Sequence, residues 1–304
     1  MRCFHTTRYD LYNKNNIKIM IMSDIHFSKC VKDKKLNYIT KYINKEQPNY
    51  ILIPGDLIDS NNDIEVLNEK DRLINWLKEI SKNTITLISL GNHDIFRRIN
   101  GKRVYFKNEE LINEIDNINN IYVLDNTNYE DDNIYVSGIT QNYKYFEHEN
   151  IEILLDDLEK NNLIIHPNND KLKILLIHSP SNLDKQIIME KLIDFDYIIC
   201  GHMHNRCVPP MLSEIWRSTR GIITPTKKFF KKYERNTLKH KDDKILVNGP
   251  VTTFQHVSGF FKVFNFLFPT YISIMNFNKK NEFKIIKKYH KYKWYFFNII
   301  LKKK

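Results

Sequence analysis

Five short motifs hold most of the metal-ligand chemistry of this chain: Asp24-Ile25-His26, Gly55-Asp56-Leu57-Ile58-Asp59, Gly91-Asn92-His93-Asp94, His178 and Gly201-His202-Met203-His204. Together they offer carboxylate, imidazole and amide-oxygen donors, the mixture that suits a site for divalent ions. A lone Asp-x-His or His-x-His says little. Here the motifs recur, each bounded by Gly or Ser and each directly following an apolar run. Residues two apart in an extended segment point to the same side. On that reading Asp24 and His26 reach one ion, and so do His202 and His204.

The apolar runs are 17–22, 50–53, 84–90, 172–177 and 197–200, short and rich in Ile, Leu and Tyr, and they predict buried β-strands. Ligands at the carboxyl ends of several strands sit where open α/β folds build their sites. Helical periodicity separates the strands: Leu36, Ile39, Tyr42 and Ile43 form a stripe within 31–45, and Leu67, Leu73, Ile74, Leu77 and Ile80 form one within 65–82. Shorter helices are predicted at 109–115, 151–160 and 185–192. Strands are expected at 121–124 and 133–139 as a pair across the polar 125–132, and again at 244–248 and 270–275. The first half reads β-α-β-α-β, whereas the later strands lack long intervening helices. This pattern favours two packed sheets flanked by helices over one doubly wound sheet.

The 304 residues, 42% of them hydrophobic, suffice for a full core. The polar stretch 6–18 lacks the apolar segment of a secretory signal. The longest apolar stretch, 257–277, is broken by Lys262, Asn265, Pro269 and Asn276, so no spanning helix is expected. Cys3, Cys30, Cys200 and Cys207 show no Cys-x-x-Cys spacing and read as free thiols in a reducing cytosol. The net charge of +11 is concentrated late in the chain. From Asn205 onward 22 Lys and Arg face 5 Asp and Glu, whereas the earlier part has 25 against 31. Such asymmetry points to an anionic partner or surface. A Lys-rich composition throughout offers the plainer reading of a solvated face.

The order Asp-x-His, Gly-Asp-x-x-Asp, Gly-Asn-His-Asp, His, Gly-His-x-His, spread over residues 18–277, resembles that of the calcineurin-like metallophosphoesterases. The resemblance implies a four-layer α-β-β-α sandwich, two mixed β-sheets flanked by helices. Residues 1–278 would form the phosphoesterase domain, with a long excursion or cap at 205–243, and 279–304 a basic, aromatic C-terminal strand or tail. Asp24, His26 and His204 would hold one divalent ion, and Asn92, His178 and His202 a second. Asp56 would bridge both together with a water or hydroxide. Mn, Fe or Zn suit such donors better than Mg or Ca. His93 would be the general acid, oriented by Asp59, while Asp94 ties down its loop.

The departures from the family pattern narrow the class. Ser60 and Asp94 stand where the Ser/Thr protein phosphatases carry Arg and Glu, which argues against that branch. Arg206 follows the last motif and is either a phosphate clamp or a solvated loop residue. The expected activity is hydrolysis of a phosphodiester or phosphoanhydride by a cytoplasmic enzyme acting on a phosphorylated substrate. A DNA nuclease is the alternative, and a non-catalytic metal-binding scaffold is disfavoured because no ligand is missing. For the basic last third, a substrate cap, an anionic membrane surface and nucleic acid compete with a plain solvated face. His5, His148, His166, His240, His256 and His290 lack spacing partners and read as surface or structural residues.

Overall fold

The computed structural model describes residues 3–28, 31–59, 68–99, 102–160, 171–204, 242–252, 270–291 and 295–301. Ser60, Arg206, nearly all of the 205–243 excursion, and His166, His240 and His256 lie outside them. Strand periodicity builds the centre of the molecule. In β2 (Ile17–Ile21), β3 (Tyr50–Pro54) and β4 (Ile85–Ser89), alternate residues point to opposite faces and both faces are buried. Ile17, Ile19, Ile21, Leu52 and Leu87 meet Ile134 and Val136 of β9 (Ile134–Ile139), Leu172, Ile174 and Leu176 of β10 (Leu172–Ile177), Ile199 of β11 (Tyr197–Cys200) and Leu246 of β12 (Ile245–Val247). This is the core between the two sheets.

The opposite faces bury against helices. Met20, Ile51, Ile53 and Ile88 are covered by Leu36, Ile39 and Ile43 of α1 (Asp33–Glu46), Leu73, Leu77 and Ile80 of α2 (Lys70–Ser81), and Leu111 and Ile115 of α4 (Glu109–Asp116). On the second sheet Leu175, Ile177 and Ile198 are covered by Tyr145 of α5 (Tyr145–His148), Leu154 and Leu158 of α6 (Ile151–Lys160), and Ile188 of α7 (Gln186–Lys191). Three apolar layers therefore separate four layers of structure, an α-β-β-α sandwich.

The larger sheet has eight strands in the order β15-β14-β1-β13-β2-β3-β4-β7, and the second has five in the order β12-β11-β10-β9-β8. Here β1 is Cys3–Tyr12, β7 Ile121–Val123, β8 Asn128–Glu130, β13 Thr270–Asn278, β14 Lys284–Lys291 and β15 Tyr295–Leu301. β2, β3, β4 and β7 run parallel, as do β9 to β12. In each sheet the carboxyl ends of these strands therefore lie together.

Three elements depart from the sequence expectations. β1 pairs parallel to β13 and antiparallel to β14, burying Phe4, Tyr9 and Leu11, although Thr6, Thr7, Arg8 and Asp10 make its sequence look polar. β7 and β9 do not pair with each other. β7 closes the large sheet on β4, while β9 pairs with β10 and with β8, a strand inside the polar 125–132 segment. Finally, a small hairpin of β5 (Phe96–Ile99) and β6 (Lys102–Tyr105) stands apart from both sheets.

Candidate metal centre

The loops leaving β2, β3, β4, β10 and β11 converge, and backbone bonds fix them to one another. The Asp24 N–H donates to Gly55 O (3.2 Å), His26 N–H to Asp56 O (2.9 Å) and Gly201 N–H to His178 O (3.0 Å). The Asp24 carboxylate also accepts from the His202 N–H at 3.0 Å. The chain reaches this arrangement through unusual backbone. Asp24, His26, Asp56, His202 and His204 all have positive φ, between 44° and 67°. Non-glycine residues enter this region at a cost, and such strain concentrates at functional sites.

Asp24, His26, Asp56 and His204 place one donor atom each within 4.8 Å of one another, and so do Asp56, His178 and His202. Asp56 belongs to both groups. His26 Nε2 lies 3.2 Å from His204 Nε2 and 3.6 Å from Asp56 Oδ2, while His178 Nε2 lies 3.2 Å from the same Asp56 oxygen. One expectation is altered. His202 and His204, two apart, face different groups, whereas Asp24 and His26, also two apart, share one, although all four have positive φ. Asn92 begins α3 (Asn92–Ile95). Its Oδ1 is buried and accepts no hydrogen bond among the described residues.

Burial holds the His26 and His202 imidazoles well below the usual range, as metal ligation requires. Burial also works against charge on His178. Even so, the Asp56 carboxylate, with the Pro54 carbonyl accepting from Nδ1 at 2.7 Å, pushes this group up to about 9. Burial lifts the Asp24 carboxyl, with Asp56 adding to the rise. Asp94 accepts from the N–H groups of Asp56 (2.8 Å), Ile58 (3.0 Å) and Gly91 (2.8 Å), so it ties down the Asp56 loop. Burial and the facing Asp56 push its carboxyl up to about 7. Two carboxylates and four imidazoles converge here, and the Asn92 amide oxygen accepts no hydrogen bond among the described residues. The donor set fits divalent metal.

His93 sits beside the ligand groups but outside both. Its backbone N–H donates to Asp56 Oδ1 at 2.8 Å, its Nδ1 lies 3.1 Å from Asp59 Oδ1, and its ring packs edge-on to His26 at 4.6 Å. Burial disfavours its charged form, yet Asp56 and then Asp59 raise its pKa above the usual imidazole value. Gly91 has to be glycine, since a Cβ there would lie 2.3 Å from Asp56 Oδ1 and 2.4 Å from Asp56 N.

Further supports carry no motif. Phe146 packs its ring 6.0 Å from His178 and 5.4 Å from His202. Asn248 donates to Ser23 Oγ (3.2 Å) and accepts from Ser273 Oγ (2.7 Å), while the Thr252 N–H donates to Asp24 O (3.1 Å). The Asn248-Gly249-Pro250 turn was the available sequence signal for this support. Of the remaining histidines, His5 is buried against Tyr271, with ring centroids 5.1 Å apart, and His148 is exposed. Cys200 is a free, buried thiol that burial pushes toward the neutral form.

Residues 17–206 match the calcineurin-like phosphoesterase family, and the chain belongs to it. It is 26% identical over 201 residues to an uncharacterized metallophosphoesterase of Campylobacter jejuni, an alignment covering 66% of this chain and 47% of that protein. With one of the subunits of the SbcCD nuclease of Staphylococcus epidermidis it shares 28% identity over 218 residues, 62% of this chain and 57% of that protein. The chain thus spans about half the length of these curated relatives. A solved archaeal phosphodiesterase aligns over 94% of this chain and 100% of its own, at 13% identity and a TM-score of 0.37. No helix among the described residues is long and apolar enough to cross a membrane.

Proposed function

We propose that this chain is a metal-dependent phosphoesterase that cleaves a phosphodiester or phosphoanhydride. In this reading Asp24, His26 and His204 would hold one divalent ion (Mn, Fe or Zn), Asn92, His178 and His202 would hold a second, and Asp56 would serve both. The observation that carries it is the sharing of Asp56 between two donor groups, with a His-Asp pair next to both. A carboxylate can serve two neighbours because it has two oxygens. Once bound, a pair of divalent ions supplies Lewis acidity to phosphate oxygens and lowers the pKa of water toward neutrality.

The chain's own residues do the rest. Asp94 fixes the Asp56 loop so that the carboxylate cannot drift out of reach. His93 keeps Nδ1 on Asp59, which leaves Nε2 as the nitrogen that delivers a proton to the leaving oxygen. A cation on Asp56 cancels part of the field that raises the His93 pKa. Asp59 and, more weakly, Asp94 belong to neither donor group and remain. The test is hydrolysis of a generic aryl phosphodiester with added Mn. His93→Ala is expected to lose roughly 10²- to 10⁴-fold in rate, and Asp56→Ala to lose activity together with bound metal. Full hydrolysis by either variant overturns the proposal.

A further inference from the structure

The chain around His26 is tied to the loop after β3: the His26 N–H donates to Asp56 O at 2.9 Å and the Phe27 N–H to Leu57 O at 2.8 Å. A second tie comes from α2. The Arg72 guanidinium donates through Nη2 to Ser28 O (3.0 Å) and through Nη1 to Val31 O (2.6 Å), and its central carbon lies 4.8 Å over the Phe27 ring. Trp76, one turn further along α2, stacks on the same ring with centroids 6.3 Å apart. Phe27, Ser28 and Val31 are all buried. Arg72 also meets Glu69 Oε2 at 2.5 Å and the exposed Asp33 carboxylate at 2.8 Å. Ion pairs open to solvent contribute little by themselves. The two carbonyls differ, because a backbone acceptor cut off from water costs free energy when its donor is removed. A planar fork of donors can serve two carbonyls while lying over a ring, which an ammonium cannot do.

These contacts begin one residue after a candidate donor. His26 Nε2 stands 3.2 Å from His204 Nε2 and 3.6 Å from Asp56 Oδ2, and metal ligands tolerate displacements of only ~0.2 Å. Small movements of Phe27 and Ser28 are therefore enough to take the imidazole out of range. Resting on the phosphoesterase reading, we infer that Arg72 is a positioning residue of the metal centre: by holding Phe27 and the carbonyls of Ser28 and Val31, it sets His26 for the ion shared with Asp24 and His204. His178 is held by Pro54 O instead, so the effect of Arg72 falls on this first ion. A residue on a helix, far from the ligand motifs in sequence, thus becomes part of the machinery that fixes one of the two ions.

The test is a double-mutant cycle read by calorimetric Mn titration of the full chain, with urea unfolding of each metal-free variant alongside. Arg72→Met keeps a long, helix-forming side chain and removes every donor. It is expected to weaken the affinity for one of two Mn ions by about 10-fold, the lower end of the loss on removing a tie behind a metal ligand. In a His26→Ala background the same change should alter Mn affinity by less than about 2-fold, because both residues act on one ligand. Ile80→Val, buried at the far end of α2, is the control: it should lower the urea midpoint and leave Mn affinity unchanged. Should Arg72→Met fail to fold, Arg72→Gln takes its place in the cycle with the same expectations. Unchanged Mn affinity on replacing Arg72 overturns the inference. So does an equal loss with and without His26, which would mark a general effect on the fold. A wild-type chain that binds no Mn overturns the inference and the phosphoesterase reading together. Coupling between Arg72 and His26 in a chain that does not hydrolyse the aryl diester defeats that reading and leaves the inference standing.

Discussion

Gly55 offers a sharp way to disturb the candidate metal centre without substituting any of its donor residues. Its φ is +85°, and a Cβ there would lie 2.4 Å from His178 Nδ1, 2.7 Å from His178 Cγ and 2.8 Å from the Gly91 Cα. Ordinary contact begins near 3.4 Å, so the imidazole has to retreat by about 1 Å in Gly55→Ala, a displacement set by ordinary packing distances. Retreat breaks the buried 2.7 Å bond from His178 Nδ1 to Pro54 O, a loss of about 1–3 kcal/mol. Left-handed backbone adds about 1–2 kcal/mol for any non-glycine residue. The sum, about 2–5 kcal/mol, is a large share of the roughly 5–15 kcal/mol that holds a typical domain folded. Because metal ligands tolerate displacements of only ~0.2 Å, metal affinity should also fall, by roughly 10- to 100-fold. Urea unfolding reads the first quantity and calorimetric Mn titration the second. Gly55→Asn discriminates the causes: Asn accepts positive φ more readily than Ala, yet its Cβ meets the same ring, so it should do no better. Wild-type stability and metal binding in Gly55→Ala would refute the reasoning, and a rescue by Asn would show that backbone strain alone is at work.

Three further outcomes follow from the charges. Asp59→Asn removes the carboxylate facing His93 Nδ1, so the His93 pKa drops and the alkaline limb of the pH–rate profile moves to lower pH; an unmoved limb would remove Asp59 from the mechanism. His178, pushed up to about 9 when no ion is bound, has to shed a proton to ligate, so metal affinity should rise with pH up to that value. Calorimetry in buffers of different ionisation enthalpy should then register proton release. Asp131 joins the sheets: burial works against its charge, but it accepts from Tyr50 Oη (2.7 Å), Ile134 N (3.0 Å), Asn133 N (2.8 Å) and Tyr129 Oη (3.1 Å), and its carboxyl is held below the usual range. A depressed folded pKa gives stability that is full above about pH 3.9 and is lost as the pH falls through the folded value. Asp131→Ala should therefore cost about 1–2 kcal/mol near neutrality and less in acid, read by urea unfolding.

The convergence of the candidate donors was legible because they follow strands that are apolar on both faces, so a short Ile-rich run and the polar residue after it mark the element and its polar end together. Helices α1 and α2 were equally plain from their stripes. Conformation was not legible. No pattern in the sequence announces left-handed backbone at Asp24, His26, Asp56, His202 and His204, nor that His202 and His204 face different donor groups. β1 was hidden because its buried Phe4, Tyr9 and Leu11 are interleaved with Thr and charged residues that find partners, Arg8 reaching Glu46 at 2.5 Å. The β5–β6 hairpin was hidden for the opposite reason. Strands of four residues are too short to show a period, and their basic residues read as loop.

In the proposed centre Asp56 joins two ion sites. Electron paramagnetic resonance of the Mn-loaded chain tests it most directly, because two Mn ions sharing one carboxylate couple magnetically and isolated ions do not. Two bound Mn per chain with an exchange-coupled signal are expected, with loss of the coupling in Asp56→Ala. A single uncoupled Mn in the wild-type chain, or a coupled pair that survives Asp56→Ala, would contradict it.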